Sequence, residues 1–268
     1  MASTRDFLQI IRDAVSSERM ATYERSSMPM GSGEPAAIAL YAWNAMVASA
    51  FLAPIHICEV VIRNTVSEAL TSVYGPRWPW ERAFTLSLPD PRPKYSPRRD
   101  LLQIAQLYAT TGKVIPELKF AFWESMFTAR HDTRLWLPHL KQVFPAAPAG
   151  LSVNQLRGRI YNDLMAIRGL RNRIAHHEPV FQRNLAGDYQ NIVQLVSLKS
   201  PLLSSWLAAH QSVVRVLGTQ PRFSGGTLWD PPEEEIRTLA YQIWQQRVSS
   251  SNGPESDWSE ALKQLRGL

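Results

Sequence analysis

A single cysteine, Cys58, occurs in the 268 residues. That excludes an internal disulfide framework and any cysteine-rich zinc site, and it suits a reducing compartment. Glycine is absent where nucleotide chemistry would need it, since neither a Walker loop nor a dinucleotide fingerprint occurs. There is no Gly-x-Ser-x-Gly nucleophile elbow and no His-Glu-x-x-His. Clear apolar/polar alternation of the kind that makes strands is scarce, and no internal repeat is visible. Met1 to Asp13 mixes charge with scattered apolar residues and lacks the hydrophobic region of a signal peptide, so a cytoplasmic location is expected. The one long apolar run, Ala39 to Ile62, is interrupted by Asn44, Pro54, His56 and Glu59. Ionisable groups inside a membrane span cost roughly 2.5–3.5 kcal/mol each on insertion scales, so the run reads as two buried helical segments meeting near Pro54. No membrane association is expected.

What the chain does have is positive charge, unevenly spread. The formal net charge is +6 and the pI about 9.6. Residues 218–268 hold five Lys/Arg against seven acids, leaving 24 against 16 in the rest, or +8. A basic body suits a polyanionic partner, because each phosphate neutralised releases counterions.

Helical periodicity dominates, so the expected fold class is all-α. A first amphipathic segment covers Asp6 to Met20, and the polar stretch Ser26 to Glu34 breaks it. The apolar segments around Pro54 run to about Tyr74 and stop at Gly75-Pro76. Pro79 to Pro97 carries five prolines and reads as an irregular connection, in which Arg92, Lys94, Arg98 and Arg99 surround Tyr95. Such a group could track a backbone and stack a base, or simply be a solvated loop. Helices are expected at Arg99–Thr110, Ile115–Arg130, Thr133–Val143, Ser152 (as N-cap) to His177, and Asp188–Leu217 with a break near Pro201. Trp43, Trp123, Trp136 and Trp206 read as core packing. Three segments follow: residues 1–217 as a main helical domain, 218–232 as a linker, and 233–268 as a small two-helix appendage. There Asp230 and Pro231 would open the first helix, and Ser256 or Asp257 would cap the second.

One helix carries the chemistry-bearing residues. In Leu151 to Pro179, Ile160, Leu164, Ile167 and Ile174 form an apolar stripe, and Arg171 falls in it. An inward guanidinium is costly unless it is paired, hydrated or at an interface. Arg168, Asn172 and His176 are spaced by four and share a face. Arg171 and His176, five apart, point roughly 140° from one another on an ideal helix. Pro179 disfavours helix at Glu178, which puts His176 in the last turn. There the negative end of the helix dipole favours an imidazolium, and Arg168, Arg171 and Arg173 oppose it.

Arg171-Asn172-x-x-x-His176 resembles the signature of HEPN ribonuclease domains, and its surroundings, RGLRNRIAHHEPVF, resemble the Abi-like (abortive infection) branch. So do IHICEVVIRNTVSEAL at residues 55–70, with Glu59, Arg63 and Asn64, and ELKFAFWESMF with LWLPHLKQVFP over 117–145. The likeness covers roughly residues 35–200. It implies a HEPN-like helical bundle with additional helices, and a metal-independent endoribonuclease in which the 2′-hydroxyl of RNA attacks the adjacent phosphorus. His176 would then be acid/base, Arg171 a phosphate clamp and Asn172 an orienting group, with support from Arg168, Arg173, His177, Glu178, Glu59 and Arg63. The family also implies a homodimer, a growth-arresting role in phage defence, and a cognate antitoxin of RNA or protein. LAYQIWQQR and SDWSEALKQL near the C-terminus resemble a small two-helix family of unknown function. The rival reading is a non-catalytic HEPN-like module that binds RNA or a protein. Neither metal nor cofactor is expected: consecutive His176, His177 and Glu178 point about 100° apart and cannot share one ion.

Overall fold

The computed structural model describes residues 4–27, 33–221, 223–224, 227–228, 233–246 and 254–266. The fold is all-α. Its helices are α1 (Thr4–Val15), α2 (Ser17–Ser27), α3 (Gly33–Tyr74), α4 (Arg82–Ser87), α5 (Pro97–Leu107), α6 (Thr111–Glu117), α7 (Phe120–Ser125) and α8 (Leu137–Val143). They continue as α9 (Val153–Ala175), α10 (Leu185–Lys199), α11 (Pro201–Ala209), α12 (Val213–Gly218), α13 (Glu233–Gln246) and α14 (Pro254–Arg266). Short 3₁₀ turns at Trp78–Trp80 and Ala129–His131 and a π-helical turn at Asp132–Trp136 join them. Two residue pairs, Phe223–Ser224 and Thr227–Leu228, form a minimal antiparallel ladder inside the expected linker.

The chain divides into two compact units: Met1–Ser49 with Ser212–Leu268, and Ala50–Gln211. In the first, α1 and α2 are separate helices rather than one amphipathic segment. Ser16 between them has φ 79°, a left-handed conformation that ends α1. Tyr23 and Tyr41 meet edge to face at 5.1 Å, and the buried Trp43 indole donates to the Val216 carbonyl at 2.9 Å. α13 and α14 pack on one another. α14 starts at Pro254, so Asp257 is buried within the helix and neither it nor Ser256 is the expected cap. The cap assigned to Asp230 and Pro231 and most of the polar stretch Ser26–Glu34 lie outside the described residues.

α3 corrects the expected break at Pro54, running unbroken through it. Proline removes one ladder hydrogen bond and costs about 3 kcal/mol in a helix interior. Burial of Phe51, Ile55 and Cys58 around it offsets that cost. By length and composition alone Pro35–Tyr74 could cross a membrane. In the second unit, however, it is one-sided. Phe51, Ile55, Cys58, Ile62, Val66 and Ala69 are buried, while His56, Asn64 and Glu68 face out, the pattern of a helix laid on a core. α3 ends where expected, at Gly75, whose φ of +79° a side chain would strain.

The core of this unit is aromatic. Trp78, Phe84, Phe122 and Trp123 meet at 5.1–6.3 Å, and Phe127 stacks on Trp136 at 4.5 Å. The Trp136 indole donates to the Met126 carbonyl. Trp206 departs from the expected core role: it is 49% exposed on α11, beside His210. The segment expected as one helix over 115–130 is broken at Leu118-Lys119, where both residues are extended.

Candidate functional site

α9 begins with a capping box. The Ser152 hydroxyl accepts from the Gln155 N–H, and the Gln155 side chain accepts from the Ser152 N–H. Leu156, Ile160, Leu164, Ile167, Leu170 and Ile174 are its buried stripe. Arg171 is not in it, contrary to expectation. Burial in the last turns passes through Leu170 and Ile174, and the guanidinium of Arg171 is exposed and keeps its water. The desolvation cost attached to an inward arginine therefore does not arise.

Ion pairs fix α9 along its length. Arg157 holds Asp132 through two bonds, at 2.9 and 3.2 Å. Arg159 bonds the Gln194 side chain of α10 and approaches Asp163. Arg168 pairs with the buried carboxylate of Glu124 on α7. Arg183 clasps Asp188 at the start of α10 and donates to the Ala166 carbonyl. Arg173 donates to the Pro179 carbonyl at 2.7 Å and lies 3.6 Å from Glu178. Arg168, Arg173 and Glu178, expected as supporting residues, thus hold structure together.

The helix ends two residues earlier than the expected His177. Ala175 is its last residue and His176 its cap. The Glu178 N–H reaches back to the Arg173 carbonyl at 2.8 Å, and the His177 N–H to that of Ile174 at 3.1 Å. This is a Schellman closure, with His177 at φ 55° in the place usually taken by glycine. The turn also takes His176 out of regular helical geometry (φ −95°, ψ 9°), so the ideal 140° between it and Arg171 no longer applies. His176 is exposed and Asn172 half-exposed. The side chains of Arg171, Asn172 and His176 make no hydrogen bond or ion pair among the described residues.

The other expected site residues fall elsewhere. Glu59 and Arg63 pair with one another on α3, and Arg63 also donates to the Pro116 carbonyl. In the proline-rich loop, Tyr95 donates to Asp100, Arg98 to the Leu86 carbonyl, and Arg99 to Asp90 and the Pro91 and Lys94 carbonyls. Their polar groups hold the loop in shape, which leaves Arg92 and Lys94 as its outward cations. Cys58 is fully buried, and desolvation pushes its thiol up to about 12, where it is inert. No group of three or more His, Cys, Asp or Glu able to hold a metal occurs among the described residues.

The sequence reading missed His131. It is buried, and its Nε2 has no hydrogen-bond partner. Desolvation, then the charge of Arg130, pushes it down to about 4, with Asp132 opposing. Nothing in the local pattern marks a lone histidine beside Arg130. Its burial is set by the 3₁₀ and π turns.

Comparison with known proteins reaches only the C-terminal helices. Residues 232–267 match the model of a family described as "Protein of unknown function (DUF2934)". The expected likeness of these helices to a small family of unknown function is met there. No curated protein and no solved structure matches the chain.

Proposed function

We infer that the chain is a metal-independent endoribonuclease of the HEPN class whose site is the C-terminal end of α9. One observation carries the reading: α9 has five arginines, and Arg157, Arg159, Arg168 and Arg173 are all engaged by the fold. Arg171 alone has no partner among the described residues, and it stands one residue before Asn172 and five before His176. An arginine, an amide and an imidazole free of the fold's own bonds, on a helix pinned along its length, are available to a phosphodiester.

In the reaction, His176 takes the proton of a ribose 2′-hydroxyl. The 2′-oxygen attacks the adjacent phosphorus, the bond from phosphorus to the 5′-oxygen breaks, and a proton passes to that oxygen. Arg171 stabilises the charge building on the phosphoryl oxygens, and Asn172 orients phosphate or imidazole. A second copy docking on the outer face of α9, where Met165 is 45% exposed, would bring two such sets together. The family's biological setting, a growth-arresting toxin of phage defence held by an antitoxin, comes with the same reading.

The test is RNA cleavage by the purified full chain with and without EDTA. Cleavage that survives chelation, leaves 2′,3′-cyclic phosphate ends and disappears in His176→Ala and Arg171→Ala supports the assignment. Undiminished cleavage by a folded His176→Ala protein removes it. Absence of cleavage with retained, salt-sensitive RNA binding leaves the non-catalytic module.

A further inference from the structure

In the Ala50–Gln211 unit the end of α3, α4 and the 129–136 turns line an open cavity of about 570 Å³. That lies in the range of small-molecule sites, roughly 300–1,000 Å³. Its wall is part polar and part apolar, with Leu86 and the half-buried Tyr74 on the apolar part; the fully buried Phe84 ring is 5.0 Å from that of Tyr74. Arg130 and Arg134 line the same cavity, and no acidic side chain does. Asp132, the carboxylate between them in sequence, is held by Arg157. Arg130 has only a long 3.4 Å bond to the Ser87 carbonyl, and Arg134 has no partner among the described residues. His131 is a further lining residue, more than nine-tenths buried and with an unpartnered Nε2. A buried polar atom left without a partner normally has a reason, and a π-helical turn, here Asp132–Trp136, is a frequent companion of functional sites.

We propose that this cavity binds a small organic phosphate of nucleotide size, its phosphate on Arg130 and Arg134 and its flat apolar part against Tyr74 and Leu86. Two exposed guanidiniums lining a partly apolar pocket match a phosphomonoester, which accepts paired N–H donors while part of the ligand leaves water. Burial keeps His131 neutral at pH 7, so it adds no third charge. The site is separate from the α9 terminus. Asp132 contacts Arg157, which is 19 residues before His176, roughly 28 Å along a helix. It also stands whether or not the chain cuts RNA.

Calorimetric titration of the full chain with adenosine and uridine 5′-monophosphates, the two nucleosides and inorganic phosphate tests it. At least one nucleotide should bind saturably and at least tenfold more tightly than its nucleoside or phosphate alone. Arg130→Ala and Arg134→Ala should each weaken it roughly tenfold or more, since each removes a charge-assisted hydrogen bond to the phosphate. Both residues are exposed, so the fold should survive their loss. Ala83→Glu, which puts a carboxylate on the exposed rim, should abolish binding, while Ala83→Gln should retain it. Equal affinity for nucleotide and nucleoside overturns the proposal. So does indifference to the double arginine variant, or no saturable binding of either nucleotide.

Discussion

His131 should make the protein's stability fall as acid is added, by an amount that can be worked out. Buried and beside Arg130, it is pushed down to about 4 from an ordinary 6.5. Between those values the unfolded chain binds a proton that the folded chain refuses. Stability therefore rises with pH across that window, by about 1.4 kcal/mol per unit. The stabilisation is complete above pH 6.5, is lost as pH falls through 4, and totals about 3 kcal/mol over the 2.5 units. His131→Gln keeps a polar side chain of similar size and removes the titration. Urea unfolding of both proteins, followed by circular dichroism at steps from pH 7.5 to 4, isolates the histidine, because every other group titrates in both. The difference between them should grow by about 3 kcal/mol in favour of the variant as pH falls. Parallel curves would show that folded His131 accepts a proton at its ordinary pKa. The burial argument, and the reading of its Nε2 as a buried unpartnered atom, would then both fail.

Two further outcomes follow from α9. Gly158 lies inside the helix with nothing within 4 Å of where a Cβ would stand, so Gly158→Ala should raise stability by about 1 kcal/mol in denaturant titration. A loss would mean that the exposed side of the helix is covered there. Arg168→Ala strands the buried Glu124 carboxylate and should cost roughly 1–3 kcal/mol, whereas Arg171→Ala should leave the thermal midpoint within about 1 °C. Equal losses in the two variants would mean that Arg171 is held by the fold after all.

What was legible in the sequence was what short-range chemistry decides. Ser152 as a cap, Gly75 as the end of α3, the break near Pro201 and the buried stripe of α9 each follow from a few adjacent residues, and each is found. The misreadings share another cause. Pro54 signals a break locally, but Phe51 and Ile55 are buried tightly enough to carry the helix through it. Asp257 looks like a cap until the start of α14 at Pro254 places it one turn inside. Trp206 has core spacing, yet about half of it stays exposed on α11. Arg171 has core phase, but burial beyond Ile167 has narrowed to Leu170 and Ile174. Periodicity gives the angle of a side chain around its helix, and only the neighbouring elements decide whether that angle is covered.

The same distinction explains why the basic residues cannot be weighed as one group. Net charge of +8 over residues 1–217 suggested a polyanion partner, but a guanidinium bonded to carboxylate is largely neutralised toward a phosphate. Arg63, Arg157, Arg168 and Arg183 are each paired with a carboxylate, and Arg98 and Arg99 close the proline-rich loop. These are bound into the fold. Set apart from them are Arg171 at the α9 terminus and Arg134 at the cavity, both exposed and both without a partner among the described residues. Each stands close in sequence to a histidine, His176 in one case and His131 in the other, and the two environments differ. His176 is in water, at the end of a helix. His131 is dry and neutral, and not suited to proton transfer near pH 7. Under the two proposals, the exposed end of α9 would take a chain and the pocket beside Arg134 a small molecule. The pairing pattern of the arginines divides the molecule along that line before any ligand is known.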